Sequence, residues 1–288
     1  VGCVKRLRWL VLVPYTAFAV LPLAWLGATS VKSREASISP VARWIPGTSE
    51  EAGSRTFVPS ADGWRTLGAP AGPLGRSSLA CFANSTLIGL ASALAAILLG
   101  TACAYGFSRF AIPAARHWLF FVLSTRFLPP LAVVTPILLM YRRVGLQNSH
   151  AGLIMLYTSF NLSLAVWLMK GFIDEIPRAF EEAALVDGYS RWEAFRRVVL
   201  PQAGPGMAVT GVFCLISSWN EYGFAMTLNN QGAVTIPVYF AGLQGNIMGL
   251  PWPSIAAGAL LSVFPIVVFT VLVRRHLLRG MTFGTIKQ

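Results

Sequence analysis

Six long apolar stretches, separated by polar segments, run along the chain. A helix needs roughly 20 mostly apolar residues to cross the hydrocarbon core of a bilayer, so each stretch predicts one membrane-spanning helix. We expect the third stretch to be kinked or broken, because it contains Pro129, Pro130 and Pro136. The pattern therefore predicts an all-α polytopic membrane protein with six transmembrane helices. These cover about Trp9–Thr29, Ala83–Phe107, Trp118–Met140, Ala151–Lys170, Met207–Leu228 and Ile255–Val273.

The first apolar stretch follows the basic residues Lys5, Arg6 and Arg8, as the core of a secretory signal peptide does. Its apolar part is about twice as long as a signal core of roughly 7–15 residues, which favours an uncleaved first helix. Lys and Arg are enriched in cytoplasmic loops. With the amino terminus inside, most of the 23 Lys and Arg residues fall on the cytoplasmic side. Both termini are therefore predicted to be cytoplasmic.

Composition supports a bilayer as the solvent. Hydrophobic residues make up 55% of the 288 residues and charged residues 12%, whereas a soluble domain carries about 25% charged residues. The net charge is +12, but no basic patch interleaved with aromatic residues predicts binding to nucleic acid. The four cysteines and three histidines form neither a Cys-x-x-Cys pair nor a cluster with ligand spacing, so we expect no metal site.

The order of these segments predicts three parts. Residues 1–29 contain the cytoplasmic amino terminus and the first transmembrane helix. Residues 30–80 are rich in Pro, Gly and Ser and carry mixed charge, which is typical of an extracytoplasmic loop. Residues 81–288 form the core domain with five transmembrane helices. Within this core, residues 171–203 form a polar cytoplasmic loop that is too patterned to be a simple connection.

Two short helices are predicted in this cytoplasmic loop. Pro177 suits the first turn of the first helix, where its missing N–H has no cost. Gly188 can adopt the left-handed conformation that ends a helix. Ser190 and Glu193 have the spacing of a capping box, which begins the second helix. Leu200-Pro201 is expected to end that helix.

The first short helix has an alanine face formed by Ala179, Ala183 and Ala184. Small side chains allow a helix to lie deep in a groove of another protein. An amphipathic helix that lies on the lipid surface is the alternative interpretation. The residues by themselves leave both possibilities open.

A longer motif in the loop gives a specific resemblance. Glu182-Ala183-Ala184, Gly188, Val198 and Leu200-Pro201 have the spacing of the E-A-A-x3-G-x9-I-x-L-P loop of ABC importer permeases, with Val198 where the pattern has Ile. The chain resembles this family, whereas residues 33–79 match none of its patterns. Further segments resemble the maltose-transporter MalG-like branch of sugar permeases: Ala104-Tyr105, Ser108-Arg109-Phe110, Gly145-Leu146-Gln147-Asn148-Ser149 and Trp219-Asn220-Glu221.

The resemblance implies a type I ABC importer permease fold and ATP-driven import of a sugar or oligosaccharide across the bacterial cytoplasmic (inner) membrane. The implied partners are a second homologous permease subunit, an ATPase dimer and an extracytoplasmic solute-binding protein. The sequence has no G-x-x-x-x-G-K-[ST] phosphate cradle, so we expect no enzymatic activity and no cofactor in this subunit, with ATP and Mg bound by the ATPase. The implied ATPase-coupling residues are Glu182, Ala183, Ala184, Asp187, Gly188, Leu200 and Pro201.

Two charged residues fall within or near predicted spans. Arg126 lies in the third span, and Glu221 lies in the fifth beside Trp219 and Asn220. Charged groups are costly in the bilayer and are expected to face protein or water. These four residues are candidates for the substrate path, with Trp219 offering a stacking face for a sugar ring. Alternatively, the charges pair with a partner subunit or cap broken helices.

Three other classes of membrane protein would each leave a different pattern in the sequence or share only the cytoplasmic loop. An ABC permease for another small polar solute, such as glycerol phosphate or a polyamine, would carry the same loop. An ion-coupled secondary transporter predicts inverted repeats and several acidic residues deep in its spans, whereas Glu221 is the one acidic residue in a predicted span here. A membrane enzyme would need clustered catalytic side chains, which the sequence does not offer.

Overall fold

A computed structural model of the chain describes the backbone of residues 2–48, 54–68, 75–243 and 250–282. Side chains are described for residues 9–48, 54–68, 75–130, 132–243 and 250–273. Parts of the predicted 30–80 loop and the end of the predicted core domain lie outside the described residues. The described residues belong to two compact units, one drawn from Val1–Phe82 and Tyr239–Pro265, the other from Ala83–Val238 and Ile266–Gln288.

The described amino-terminal part of the chain consists of a long apolar helix followed by a loop with short helices and strands. Lys32 is buried, and its ammonium lies 3.8 Å from the centroid of the Trp25 ring and 5.4 Å from that of Phe57. This cation–π contact packs the segment that follows the first helix against the loop. The described residues of the predicted 30–80 loop therefore form an ordered structure. The elements of this amino-terminal part are α1 (Gly2–Ser30), α2 (Arg34–Ser37), the parallel strands β1 (Ile45–Pro46) and β2 (Thr56–Phe57), and α3 (Asp62–Arg65).

The remainder of the chain is helical wherever it has regular structure in the described residues. Five helical segments of the described chain are long and apolar enough to cross a membrane: Trp9–Ser30, Ser78–Arg109, His150–Asp174, Arg191–Trp219 and Trp252–Val273. They overlap the first, second, fourth, fifth and sixth predicted stretches, the fifth only in part. The elements are α4 (Ser78–Arg109), α5 (Ala115–Ser124), α6 (Pro130–Val144), α7 (His150–Asp174), α8 (Arg178–Val186), α9 (Arg191–Ala194), α10 (Leu200–Trp219), α11 (Gly223–Leu228), α12 (Ile236–Gly242) and α13 (Trp252–Thr282).

The third predicted stretch is broken, as its prolines indicated. The helix α5 continues as a single 3₁₀ turn, Thr125–Phe127, and α6 then leaves at an angle of 89°. A proline disfavours helical geometry in the residue before it, and Leu128 and Pro129 are both extended, with ψ of 125°. Counted as one crossing, this bent pair brings the spans among the described residues to six.

The structure corrects two sequence predictions about the fifth stretch. Leu200-Pro201 does not end a helix, because α9, a π-helical turn at Phe195–Val199 and α10 form one continuous helix from Arg191 to Trp219. The π turn ends two residues before Pro201, and such a local widening allows a helix to continue through a residue that has no backbone N–H. The predicted span Met207–Leu228 is also interrupted, since Asn220, Glu221 and Tyr222 separate α10 from α11.

Small residues allow the helices of the second unit to pack closely. Ser92, Ala96 and Ala104 are fully buried on α4. A Cβ placed on Gly100 would lie 2.6 Å from the Cβ of Ala165, so the two backbones touch at this point. Close packing of this kind stabilises helix association in a membrane, because the hydrophobic effect does not drive helices together in lipid.

Candidate functional site

A left-handed glycine joins the two short helices of the predicted cytoplasmic loop. Gly188 has φ of +89° and follows α8. The Tyr189 N–H donates to the Ala184 carbonyl at 3.0 Å and the Gly188 N–H donates to the Leu185 carbonyl at 3.2 Å. These two bonds form a Schellman motif, which satisfies carbonyls at the helix end. The predicted glycine corner is confirmed.

The second short helix begins with the predicted capping box. The Ser190 hydroxyl accepts from the Glu193 N–H at 3.3 Å, and a Glu193 carboxylate oxygen accepts from the Ser190 N–H at 3.0 Å. Both backbone donors at the helix start are thereby satisfied. The orientation of the corner is thus set by local chemistry on both sides of Gly188.

One side of this corner presents large apolar side chains to the surroundings. Val186 is 88% exposed, Trp192 is 65% exposed and Phe180 is 54% exposed. Together with Tyr189 they are referred to as the apolar corner residues. A cluster of exposed apolar groups on a polar loop is typical of an interaction site.

The other side of α8 faces its own chain, which divides the predicted coupling residues. Ala184 is buried, so the three alanines do not form one common face. The predicted Leu200 is half-buried and Pro201 is exposed, both within α10. The remaining predicted coupling residues are exposed: Glu182, Ala183, Asp187 and Gly188.

A buried ion pair holds α8 to the end of α4. The Glu181 carboxylate accepts from Arg109 Nε at 2.8 Å, and the two side chains are only 6% and 5% exposed. The Tyr105 hydroxyl donates to the other Glu181 oxygen. Arg109 Nη2 also donates to the Ile176 carbonyl at 2.9 Å, in the segment between α7 and α8. A buried charge pair is tolerated only with such additional hydrogen bonds.

Further polar contacts connect the end of α7 to the end of α4. The Ser108 hydroxyl donates to Asp174 at 2.5 Å, and Lys170 Nζ lies 2.5 Å from the other Asp174 oxygen. Arg178 Nη2 donates to the Ser108 carbonyl at 2.8 Å. We refer to Tyr105, Ser108, Arg109, Asp174 and Glu181 as the ionic node. It connects three elements, the ends of α4 and α7 and the start of α8.

Sequence reasoning missed this node. It gave Glu181 no role. A signal was present, because Ala104-Tyr105 and Ser108-Arg109-Phe110 stood out as branch-like segments without a role. Apolar side chains surround the node, and the Tyr105 and Phe195 rings pack at a centroid distance of 4.5 Å.

The predicted substrate-path residues lie around the break between α10 and α11. The Glu221 carboxylate accepts from the N–H groups of Phe224 at 2.9 Å and Ala225 at 3.1 Å, and from the Tyr157 hydroxyl at 2.7 Å. It therefore caps α11. Asn220 is exposed, and its amide donates to the carbonyl of Ile216 at 2.9 Å.

A half-open cavity of about 190 Å³ brings two of the four candidates together. Arg126 and Glu221 both line it, and Arg126 Nη2 lies 3.4 Å from the Ser217 hydroxyl. The Trp219 side chain is 4% exposed and does not line the cavity, so its ring offers no stacking face there. Sequence reasoning missed other lining residues, which are Pro130, Tyr157, Phe160, Asn161, Ser217, Ser218 and Phe224.

Within the part of the chain that the structure describes, no group of three or more His, Cys, Asp or Glu side chains could hold a metal ion. Cys81, Cys103 and Cys214 are free thiols.

The geometry defines a class of protein: a helical, multi-pass membrane subunit with a glycine-linked helix corner between two of its apolar segments. Residues 96–282 match the family described as binding-protein-dependent transport system inner membrane component, and the chain belongs to this family. It is therefore a permease subunit of an ABC importer and not an enzyme, and it is located in the cytoplasmic membrane as a multi-pass protein.

Individual relatives agree with this assignment. The chain is 33% identical over 289 residues to the trehalose transport system permease protein SugB of Mycobacterium tuberculosis, and the match covers 99% of each chain. It is 27% identical to the trehalose/maltose transport system permease protein MalG of Thermococcus litoralis, covering 71% of this chain and 74% of the relative.

A solved structure supports the type I permease fold. It is a bacterial ABC transporter involved in the import of the acidic polysaccharide alginate, and one of its chains superposes with a TM-score of 0.70. The superposition covers 95% of this chain and 96% of that chain. Because the sequence identity is 21%, the similarity shows the fold and nothing more.

Proposed function

We propose that this chain forms half of the translocation pathway of an ATP-driven importer for a sugar or oligosaccharide. A second permease subunit supplies the other half, an extracytoplasmic binding protein delivers the solute, and a separate ATPase dimer docks on the α8–α9 corner. The sugar class is supported by the relatives named for trehalose and maltose transport. Both termini and the corner lie in the cytoplasm in this proposal.

The observation that carries the docking role is the set of apolar corner residues. Val186 is 88% exposed at the tip of α8, directly before the corner. Covering such a side chain by a partner stabilises a complex by about 1.5–3 kcal/mol. Since each 1.4 kcal/mol is about tenfold in affinity, Val186→Asp should weaken ATPase binding by at least about tenfold.

Site-specific photocrosslinking tests the docking directly. A photoreactive phenylalanine analogue at position 186 should crosslink to the co-expressed ATPase in intact membranes. The matched control carries the same group at Trp64, a 40% exposed aromatic residue in the predicted extracytoplasmic loop. We expect no ATPase adduct at 64. An adduct at 64 together with none at 186 would reverse the proposed orientation.

The cavity is the proposed contact of this subunit with the solute. Arg126 supplies hydrogen-bond donors, Glu221 supplies acceptors, and Phe160 and Phe224 supply apolar surface. Sugars offer hydroxyl groups and apolar ring faces, which such a mixed lining suits.

An uptake panel tests the solute class. Cells that express the complete transporter are compared with cells lacking this chain, using labelled trehalose, maltose, spermidine and glycerol phosphate. Uptake of a sugar that depends on the chain is the expected result. Chain-dependent uptake of spermidine or glycerol phosphate alone would contradict the sugar assignment and leave the permease assignment intact.

A further inference from the structure

We propose that the ionic node is a positioning device that makes α8 move as one body with α4 and α7, so that movement of the docked ATPase reaches the spans. This inference rests on the proposed docking of an ATPase on the corner. Its central contact is the Glu181–Arg109 pair, which joins residues 72 positions apart in the chain.

Covalent continuity does not fix the orientation of α8. Its amino end follows Pro177, which is extended with ψ of 129°, and its carboxyl end turns at the left-handed Gly188. The helix between these two breaks has only nine residues. By contrast, α9 is continuous with α10 through the π turn and needs no separate connection to its span.

The node supplies the connection that α8 lacks. Three contacts reach this helix or its start from the end of α4: Arg109 to Glu181 at 2.8 Å, Arg109 to the Ile176 carbonyl at 2.9 Å, and Arg178 to the Ser108 carbonyl at 2.8 Å. Each of these hydrogen bonds is directional and therefore constrains the orientation of α8, whereas apolar packing is not directional.

Stability by itself does not account for a buried pair of this kind. Replacing a buried ion pair by well-packed apolar residues is often neutral or stabilising, because desolvation offsets the attraction between the charges. If the pair serves to position α8, apolar residues in its place should allow the subunit to fold. They should impair the coupling of ATP hydrolysis to transport. This difference separates a positioning role from a merely structural one.

The experiment replaces both charges together, Arg109→Met with Glu181→Leu, in the complete transporter in proteoliposomes. The readout is ATP hydrolysed per sugar imported, using labelled trehalose or whichever sugar of the panel the wild type imports. We expect normal assembly with the ATPase and a ratio raised by at least about fivefold, the lower end of coupling between linked sites. Glu175→Gln removes the charge of an exposed carboxylate at the end of α7 and should leave the ratio unchanged.

A second variant decides the question if the double variant fails to accumulate. Tyr105→Phe removes one hydrogen bond to Glu181 and keeps the buried ring against Phe195, so a raised ratio supports the node. A wild-type ratio in the assembled double variant, or in Tyr105→Phe when that variant must decide, overturns it. Failure of the proposed docking is distinguishable, because the otherwise wild-type chain with the photoreactive group at position 186 would then give no ATPase adduct.

Discussion

Replacement of Gly188 tests whether the backbone of the corner matters for coupling. A left-handed conformation brings the Cβ of an L-residue close to the following carbonyl, at a cost of about 1–2 kcal/mol. A Cβ on Gly188 would meet no other atom within 4 Å, so this backbone strain is the main effect. It corresponds to a roughly 5–30-fold shift of the equilibrium away from the formed corner.

The size of this strain should depend on which side chain is introduced at position 188. Asn adopts the left-handed region more readily than Ala, and a β-branched residue adopts it least readily. Sugar uptake should therefore fall in the order Gly, Asn, Ala, Val at position 188. Coupling should follow the same order, measured as ATP hydrolysis stimulated by the loaded binding protein, at equal amounts of subunit in the membrane.

A matched glycine serves as the control. Gly171 is exposed in α7 and has no positive φ, and a Cβ placed on it would meet nothing within 4 Å. Ala is favoured over Gly within a helix by roughly 0.5–1 kcal/mol, so Gly171→Ala should transport normally. Wild-type uptake by Gly188→Ala, or equal impairment by Asn and Val, would refute the reasoning.

Three further substitutions test other contacts. Glu221→Gln removes the charged cap of α11 and should destabilise the purified subunit by about 1.5–3 kcal/mol, seen as a lower melting temperature in detergent. Gly100→Val forces a side chain against the neighbouring helix and should cost about 1–3 kcal/mol, whereas Gly106→Ala points into open space and should have little effect in the same assay. Arg109→Met alone leaves Glu181 buried without its partner and should cost about 3–5 kcal/mol, reducing the amount of subunit in membranes on an immunoblot; an undiminished amount would contradict this.

Local chemistry explains which parts of the corner were predictable. The left-handed Gly188 and the Ser190–Glu193 capping box depend on residues within a few positions of each other, so their spacing in the sequence identified them. The break at Pro129-Pro130 was predictable for the same reason, since proline acts on its immediate neighbours.

Contacts between distant residues explain the errors. Glu181 and Glu182 are adjacent and identical, and it is Glu181 that contacts Arg109 on another helix and is buried. The interruption at Asn220 and Glu221 lies inside an apolar run, and it is stabilised by Tyr157 from α7. The π turn before Pro201 keeps a helix continuous where a proline pattern indicates its end.

In the proposed function, the continuous helix from Arg191 to Trp219 connects the α8–α9 corner directly to the cavity end of a span. Its 29 residues extend about 40 Å at 1.5 Å per residue. A tilt of about 10° at one end therefore displaces the other by roughly 7 Å, which exceeds the 5.4 Å pitch of one helical turn. The helix ends at Trp219, beside the interruption at residues 220–222, so in this proposal the displacement reaches the chain next to the cavity that Glu221 lines.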